Sequence, residues 1–244
     1  HSDKNYKEGW VRNISNIISS NLDKGGFKMR FRLALIVLCI LLASVLVACE
    51  EQPNNLPDEK TPFEYEYTEE GVIKPEMAEE IISETSTNVI TALAEKDMDT
   101  LSSLVHPVEG VRFTPYTYVS LEKDLLFTKE EIKSFLENEK EYIWGNYDGI
   151  GDEIKLTPKE YYDKFVYTAD FANAPEIGYN TVLSSGNMLE NQFQVYESPI
   201  IVEYYFPGFN PEYEGMDWQS LRLVFEEYEG KWFLVGIIHN QWTI

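Results

Sequence analysis

Cysteine is nearly absent from this sequence of 244 residues, which contains only Cys39 and Cys49. Cys39 lies within an apolar run that Cys49 ends, so the sequence after Cys49 has no thiol. This absence excludes a disulfide, a thiol nucleophile and a cysteine metal site from that region. A fold there depends on a hydrophobic core, which residues 75–244 are numerous enough to form.

Residues that carry chemistry are also scarce. After Cys49 the only histidines are His106 and His239, and no glycine-rich phosphate loop, Cys/His metal pattern or nucleophile elbow occurs. The acidic segment 147–153 lacks the alternating ligand spacing of a calcium loop, so we interpret it as an acidic turn. We therefore predict no cofactor and no metal, assign no catalytic residue, and leave enzymatic activity uncertain but disfavoured.

Positive charge is the third scarcity, with 20 Lys and Arg against 42 Asp and Glu. Three of the acids and seven of the bases lie in residues 1–48, which leaves 39 acids and 13 bases from Cys49 onward. The basic and acidic parts are therefore interpreted separately. A net charge of −26 in the acidic part argues against nucleic acid or an anionic membrane surface as a partner.

The basic part has the pattern of an export signal. Residues 29–32 (MRFR) precede an apolar run over 33–48, which is shorter than the ~20 residues that span a membrane. A positive start, an apolar run and small residues at its end are typical of a signal peptide. The run ends in the sequence LVAC at 46–49, which resembles the lipobox of bacterial lipoproteins. The alternative is a plain signal peptide or a single-span anchor that happens to contain a cysteine.

The lipobox resemblance implies that diacylglycerol is attached to the Cys49 sulfur and that a lipoprotein signal peptidase cuts before this residue. Two or three acyl chains, such as palmitate, give stable anchoring where one does not. We therefore expect a lipid-anchored protein at the extracytoplasmic face of the cell membrane, with the bilayer as a partner through Cys49.

Four segments follow from these patterns. Residues 1–28 precede Met29, and we expect them to be leader translated from a misplaced gene start. Residues 29–48 are the signal peptide. Residues 49–74, rich in Pro and acids, are the lipidated cysteine and a flexible tether. Residues 75–244 are the globular domain.

Within that domain, helical patterns come first. Pro75 suits a first helical turn, and the apolar spacing over 77–93 predicts a long amphipathic helix. A second short helix ends at His106-Pro107. A capping box formed by Thr128 and Glu131 predicts a helix over 128–139, and Thr157 as a cap followed by Pro158 predicts a helix over 157–165. Strands are predicted at 111–119 with a kink at Pro115, and at 192–196, 200–206, 220–228 and 232–239, the last two forming a hairpin.

This order of elements resembles the NTF2-like superfamily. The resemblance rests on residues 89–97 (VITALAEKD), on 101–106, and on 229–237 (EGKWFLVGI). It implies an α+β cone, in which a curved, mostly antiparallel sheet packs against N-terminal helices around a cavity. The superfamily includes enzymes and binding modules, so the fold leaves the function open.

Five residues are candidates for lining such a cavity: Arg112, Tyr116, Arg222, His239 and Trp242. Strand alternation places Arg112 and Tyr116 on one face, unless the kink breaks the register. An arginine there could bind a carboxylate or phosphate with two hydrogen bonds, or it could pair with one of the chain's own acids.

His239 has two interpretations as well. With Asp170 or Glu203 it could form an acid–base pair, or it could be a hydrogen-bonded histidine in a terminal strand. The aromatic segment 204–218 could stack on an apolar or sugar-like ligand, or it could cover the end of the barrel.

Two functions remain for this domain. The favoured one is a binding or interaction module at the cell surface, with an unknown small molecule or surface protein as partner. The alternative is a small-molecule enzyme, of isomerase or hydrolase type, that uses His239 or Tyr116. A carboxylate near His239 in an open pocket would favour the enzyme, and a filled cavity would favour protein contact.

Overall fold

The computed structural model describes residues 64–184 and 186–243. Contacts divide the chain into two units, His1–Phe63 and Glu64–Ile244, and the elements below belong to the second. The predicted leader, the signal peptide, Cys49 and the tether up to residue 63 lie outside the described residues. Over the described ranges, no helix is both long and apolar enough to cross a membrane.

Two helices open the unit. Helix α1 spans Pro75–Glu95 and ends where Lys96 adopts a left-handed backbone with φ of 57°. Helix α2 spans Met98–Leu104, and its cap is Asp97, whose carboxylate accepts a hydrogen bond of 3.0 Å from the Thr100 amide. The helix boundaries thus follow local capping chemistry, and both predicted helices are confirmed.

The remaining elements follow in chain order. The strands are β1 Val111–Thr114, β2 Leu125–Phe127, β3 Tyr142–Asn146, β4 Glu153–Leu156, β5 Glu176–Tyr179, β6 Ile200–Phe206, β7 Gln219–Tyr228 and β8 Lys231–Gln241. The short helices are α3 Lys129–Lys133, α4 Pro158–Phe165 and α5 Gln192–Val195, with 3₁₀ turns at Phe135–Glu137, Phe171–Asn173 and Pro211–Tyr213.

Six strands form one sheet in the order β2-β1-β8-β7-β6-β5, and β3 pairs with β4 in a separate hairpin. Neighbours in the sheet are antiparallel except β1 and β8, which are parallel. The predicted fold class, α+β with a curved, mostly antiparallel sheet against N-terminal helices, is confirmed. The capping boxes at Thr128 and Thr157 are also present.

Three predicted elements differ from the structure. The strand predicted at 111–119 ends at Thr114, because the chain bends over residues 115–118. The helix predicted at 128–139 is α3 followed by a 3₁₀ turn. The strand predicted at 192–196 is helix α5. Its alternating apolar side chains, Phe193 and Val195, pack onto the face of the sheet, whereas β5 occupies the edge beside β6.

The sheet has two faces that bury different side chains. The inner face, which carries Leu221, Leu223 and Ile237, packs against the helices as the main core. The outer face carries a smaller cluster that includes Val224 and Ile238. Residues 180–184 and 186–199, here termed the covering segment, lie over the outer face and contribute part of that cluster.

Residues 64–74, which the sequence assigns to the tether, belong to the same compact unit as residues 75–244. Ile73 is 1% exposed, and its carbonyl accepts a hydrogen bond of 2.9 Å from the Asn180 side chain. The Tyr65 hydroxyl donates to Glu227 on β7. The last residues of the predicted tether are therefore packed against the domain.

Candidate functional site: a buried arginine cluster

The space between the inner face and the helices is packed with aromatic side chains of the chain itself. The Trp144 and Tyr161 rings are stacked with centroids 3.8 Å apart, and Phe113 and Phe135 are stacked at 4.8 Å. The Trp144 indole N–H donates to the Leu156 carbonyl at 2.9 Å. This volume is therefore a close-packed core in which the aromatic rings adopt favourable stacked arrangements.

His239 belongs to this inner face and is completely buried. Its Nε2 lies 3.2 Å from the Gln241 side-chain oxygen, its ring contacts the edge of Phe165, and its Nδ1 has no partner. Burial lowers the pKa of His239 to about 4, so the ring is neutral near pH 7.

Neither carboxylate considered for His239 pairs with it. Asp170 bonds to the side chains of Tyr167 and Asn173. Glu203 points to the outer face of the sheet, where it meets Arg222. The hydrogen-bond partner of His239 is therefore an amide, which cannot hold the ring as an acid–base pair would.

Tyr116 and Arg112 lie on opposite sides because the chain bends after Thr114. The Tyr116 ring packs against Phe165, and its hydroxyl accepts a hydrogen bond of 3.2 Å from the Asp148 amide. Arg112 donates to the Asp124 carbonyl at 3.2 Å. Half-burial raises the pKa of the Tyr116 hydroxyl.

Trp242 lies beyond the end of β8 and is 40% exposed. Its backbone N–H donates to the Trp218 carbonyl at 3.1 Å. The five candidate residues are thus divided between the inner face, the outer face and the surface, and they do not line one cavity.

Arg222 occupies the centre of the outer face and is the most buried charge there, with no exposed area. Its Nη1 donates to the Thr117 hydroxyl at 2.8 Å and to Glu190. Its Nη2 donates to the Ser184 hydroxyl at 3.0 Å and to the second Glu190 oxygen at 3.2 Å. Its Nε lies 3.2 Å from Glu203, close enough for an ion pair although misaligned for a hydrogen bond.

Glu203 is held as firmly as the arginine. It is 1% exposed and accepts hydrogen bonds from the Leu183 amide at 2.7 Å, the Ser184 amide at 3.3 Å and the Ser184 hydroxyl. The Ser184 hydroxyl also lies 3.0 Å from that of Ser220. We refer to Arg222, Glu203, Glu190, Thr117 and Ser184 together as the arginine cluster.

The arginine cluster carries one positive and two negative charges. Its burial is expensive unless the charged atoms keep hydrogen-bond partners. Such partners are present for both carboxylates and for the two Nη atoms of Arg222, whereas Nε has only its ion pair with Glu203. The sequence indicated Arg222 but not its partners. Glu203 stands directly opposite Arg222 in the β6–β7 register, so strand pairing could have suggested it. Ser184 and Glu190 come from the irregular covering segment, which carries no such periodic signal.

The arginine cluster is distinct from a metal centre. Among residues 64–184 and 186–243, no group of three or more His, Cys, Asp or Glu side chains is arranged to hold a metal ion. The cluster's own oxygens are directed to a guanidinium.

No protein-family model matches the chain, and no curated protein matches it. One similar solved structure is a five-substitution variant of the NTF2-like protein Rd1NTF2_05, with 14% identity, 64% of this chain and 91% of that chain covered, and a TM-score of 0.28. Another is a Xanthomonas campestris domain described as a calcium/calmodulin dependent protein kinase II association domain, with 12% identity, coverage of 66% and 83%, and a TM-score of 0.27. Likenesses at these scores do not bear on function.

Proposed function

We propose that this chain is a lipoprotein anchored through Cys49, whose NTF2-like domain is a non-enzymatic interaction module on the extracytoplasmic face of the membrane. The observation that supports the module is the packing on the inner face of the sheet. Its volume is filled by buried rings such as Trp144 and Tyr161, and its single histidine is neutral and bonded to an amide.

The anchor is supported by the sequence around Cys49. The sequence LVAC at 46–49 follows a basic and apolar stretch, as in lipoprotein signals.

The partner that we propose is a surface protein that contacts the loop between β6 and β7. Three apolar side chains of this loop are about half exposed, Phe209 at 50%, Tyr213 at 53% and Met216 at 51%. Backbone and side-chain hydrogen bonds hold the loop, including one of 2.8 Å from the Asn210 amide to Asp217. A rigid, exposed aromatic group of this kind is typical of contact surfaces.

Metabolic labelling with a fatty-acid analogue tests the anchor. The chain should be labelled, Cys49→Ser should abolish the label, and Cys39→Ser should leave it unchanged as the matched control. A label that persists in Cys49→Ser refutes the lipid anchor without affecting the interaction module.

Site-specific crosslinking tests the module. A photoreactive residue in place of Phe209 should give a discrete protein adduct that excess purified chain competes away. The same residue in place of Leu121, which is 65% exposed, is the control and should give none. Equal adducts from both positions would contradict contact through this loop.

One observation favours the enzyme alternative. The Tyr161 hydroxyl and His239 Nδ1 are fully buried without partners, and both side chains pack against Phe165. A small polar ligand that reached either atom would satisfy its hydrogen-bonding capacity. Tyr161→Phe distinguishes the two functions. It should leave stability unchanged or higher if the interior holds no ligand, and it should abolish ligand-induced thermal shifts if the interior binds one.

A further inference from the structure

The two carboxylates of the arginine cluster differ in how they are held. Glu203 comes from strand β6 and is almost inaccessible, whereas the Glu190 side chain is 32% exposed. Glu190 comes from the covering segment, just before helix α5. One partner of Arg222 is therefore built into the sheet, and the other reaches it from a loop at the surface.

Anchors on both sides of Glu190 are independent of its carboxylate. Before it, the Leu183 and Ser184 amides donate to Glu203. After it, the Asn191 side chain accepts from the Val119 amide at 2.8 Å and donates to the Val119 carbonyl at 2.9 Å. Among the described residues 186–190, the hydrogen bonds and ion pairs are those of Glu190 alone. An outward displacement of residues 186–190 would therefore break the polar contacts of Glu190 while leaving the anchors at Glu203 and Val119 in place.

The groups that receive Glu190 have the geometry of a carboxylate site. Arg222 presents Nη1 and Nη2 to the two Glu190 oxygens, one each, and the Thr117 hydroxyl lies 3.0 Å from Oε1. Two parallel guanidinium bonds to a planar carboxylate are the arrangement that arginine recognises best.

Charge selects the class of ligand. Without Glu190, Arg222 and Glu203 form a neutral pair on the outer face. A monocarboxylate restores the charge that Glu190 gives, whereas a phosphate dianion would add a second uncompensated charge beside buried Glu203.

We propose that Arg222 and Thr117 form a binding site for a small monocarboxylate, and that the Glu190 side chain of this chain occupies it in the closed state described here. Glu190 acts as an internal competitor, and a ligand carboxylate binds when residues 186–190 move outward. This site is on the opposite face of the sheet from His239 and does not depend on the proposed interaction loop.

Acetate binding to variants of the full chain tests this proposal, measured by thermal shift against sodium chloride at equal ionic strength. Removing the tethered competitor in Glu190→Ala should lower the acetate dissociation constant at least tenfold relative to the unaltered chain. Glu197→Ala removes an exposed acid of the same segment and should match the unaltered chain. Equal acetate binding by the Glu190 and Glu197 variants would overturn the site.

Two further measurements define the chemistry. In Glu190→Ala, the additional change Thr117→Val should weaken acetate binding severalfold, and phosphate should bind more weakly than acetate. Tighter binding of phosphate would overturn the carboxylate assignment. If Glu190→Ala does not fold, Glu190→Gln replaces it, because its neutral amide should compete less than the carboxylate and still lower the acetate dissociation constant. An unchanged constant in Glu190→Gln would then overturn the proposal.

Discussion

The two faces of the central sheet solve the problem of burying polar groups in different ways. On the inner face, a single histidine is kept neutral among aromatic rings. On the outer face, the chain surrounds the Arg222 guanidinium with two carboxylates and two hydroxyls. Protonation of the histidine should therefore destabilise the inner face, whereas the loss of any one partner of Arg222 should destabilise the outer face.

The two faces also differ in what their buried groups contribute to stability. A buried ion pair adds little net stability compared with apolar packing, yet removing one member leaves an uncompensated charge. The outer face is thus a costly arrangement for a fold to keep. The inner face, in contrast, is closely packed in the ordinary way. Its buried polar atoms without a hydrogen-bond partner are exceptions to the rule that buried polar groups are paired.

The largest effect is expected from Arg222→Met. This change leaves Glu203 buried without its cation, and we expect a loss of about 3–5 kcal/mol in the free energy of unfolding. Urea denaturation measures it. Arg112→Met is the matched control, because Arg112 is half-buried and makes one hydrogen bond to a carbonyl, so it should cost under about 1 kcal/mol. Similar losses in both variants would contradict the contrast between the two faces.

Acidification should affect the inner face next most strongly. Above pH 6.5 His239 is neutral in both the folded and unfolded states and adds no pH dependence. Below pH 6.5 His239 is protonated in the unfolded state, whereas in the folded state it stays neutral down to about pH 4. The free energy of unfolding therefore falls by up to about 3 kcal/mol as the pH is lowered over this window. Unfolding in urea at pH 7, 5.5 and 4 measures the loss, and His239→Leu should remove it.

Asp124 changes the stability with pH in the opposite direction to His239, so its contribution is measured with a separate variant. Burial raises its pKa to about 6, although the Thr114 hydroxyl and the Ser120 amide partly oppose this. Its contribution is therefore fully present below about pH 4 and is lost as the pH rises through 6. Asp124→Asn should make the acid loss due to His239 steeper. A gentler slope in Asp124→Asn would contradict the assignment.

The sequence predicted the elements with strong local signals. The amphipathic stripe of α1, the capping boxes at Thr128 and Thr157, and the terminal hairpin are all encoded within short windows. Strand β5, in contrast, was not predicted. It is only four residues long and includes Gly178, so it carries little strand signal of its own.

The candidate site was less accessible to sequence reasoning than the fold. The sequence indicated Arg222 as a candidate for lining a cavity, but both faces of this sheet are buried, and strand alternation cannot distinguish them. Pro115 ended the register that would have joined Arg112 to Tyr116. The partners Ser184 and Glu190 are brought to Arg222 by tertiary packing of an irregular segment, which no periodicity encodes.

The smallest expected effect tests whether the outer face depends on hydrogen bonds as well as on charge. Thr117 accepts from Arg222 at 2.8 Å and donates to Glu190 at 3.0 Å, so its hydroxyl links the cation to the exposed carboxylate. Thr117→Val keeps the shape but removes both bonds, and it should cost about 1–2 kcal/mol in urea unfolding. Thr117→Ser retains the hydroxyl and should cost clearly less. If valine and serine cost the same, the loss comes from packing, and the hydroxyl does not contribute to holding the arginine cluster.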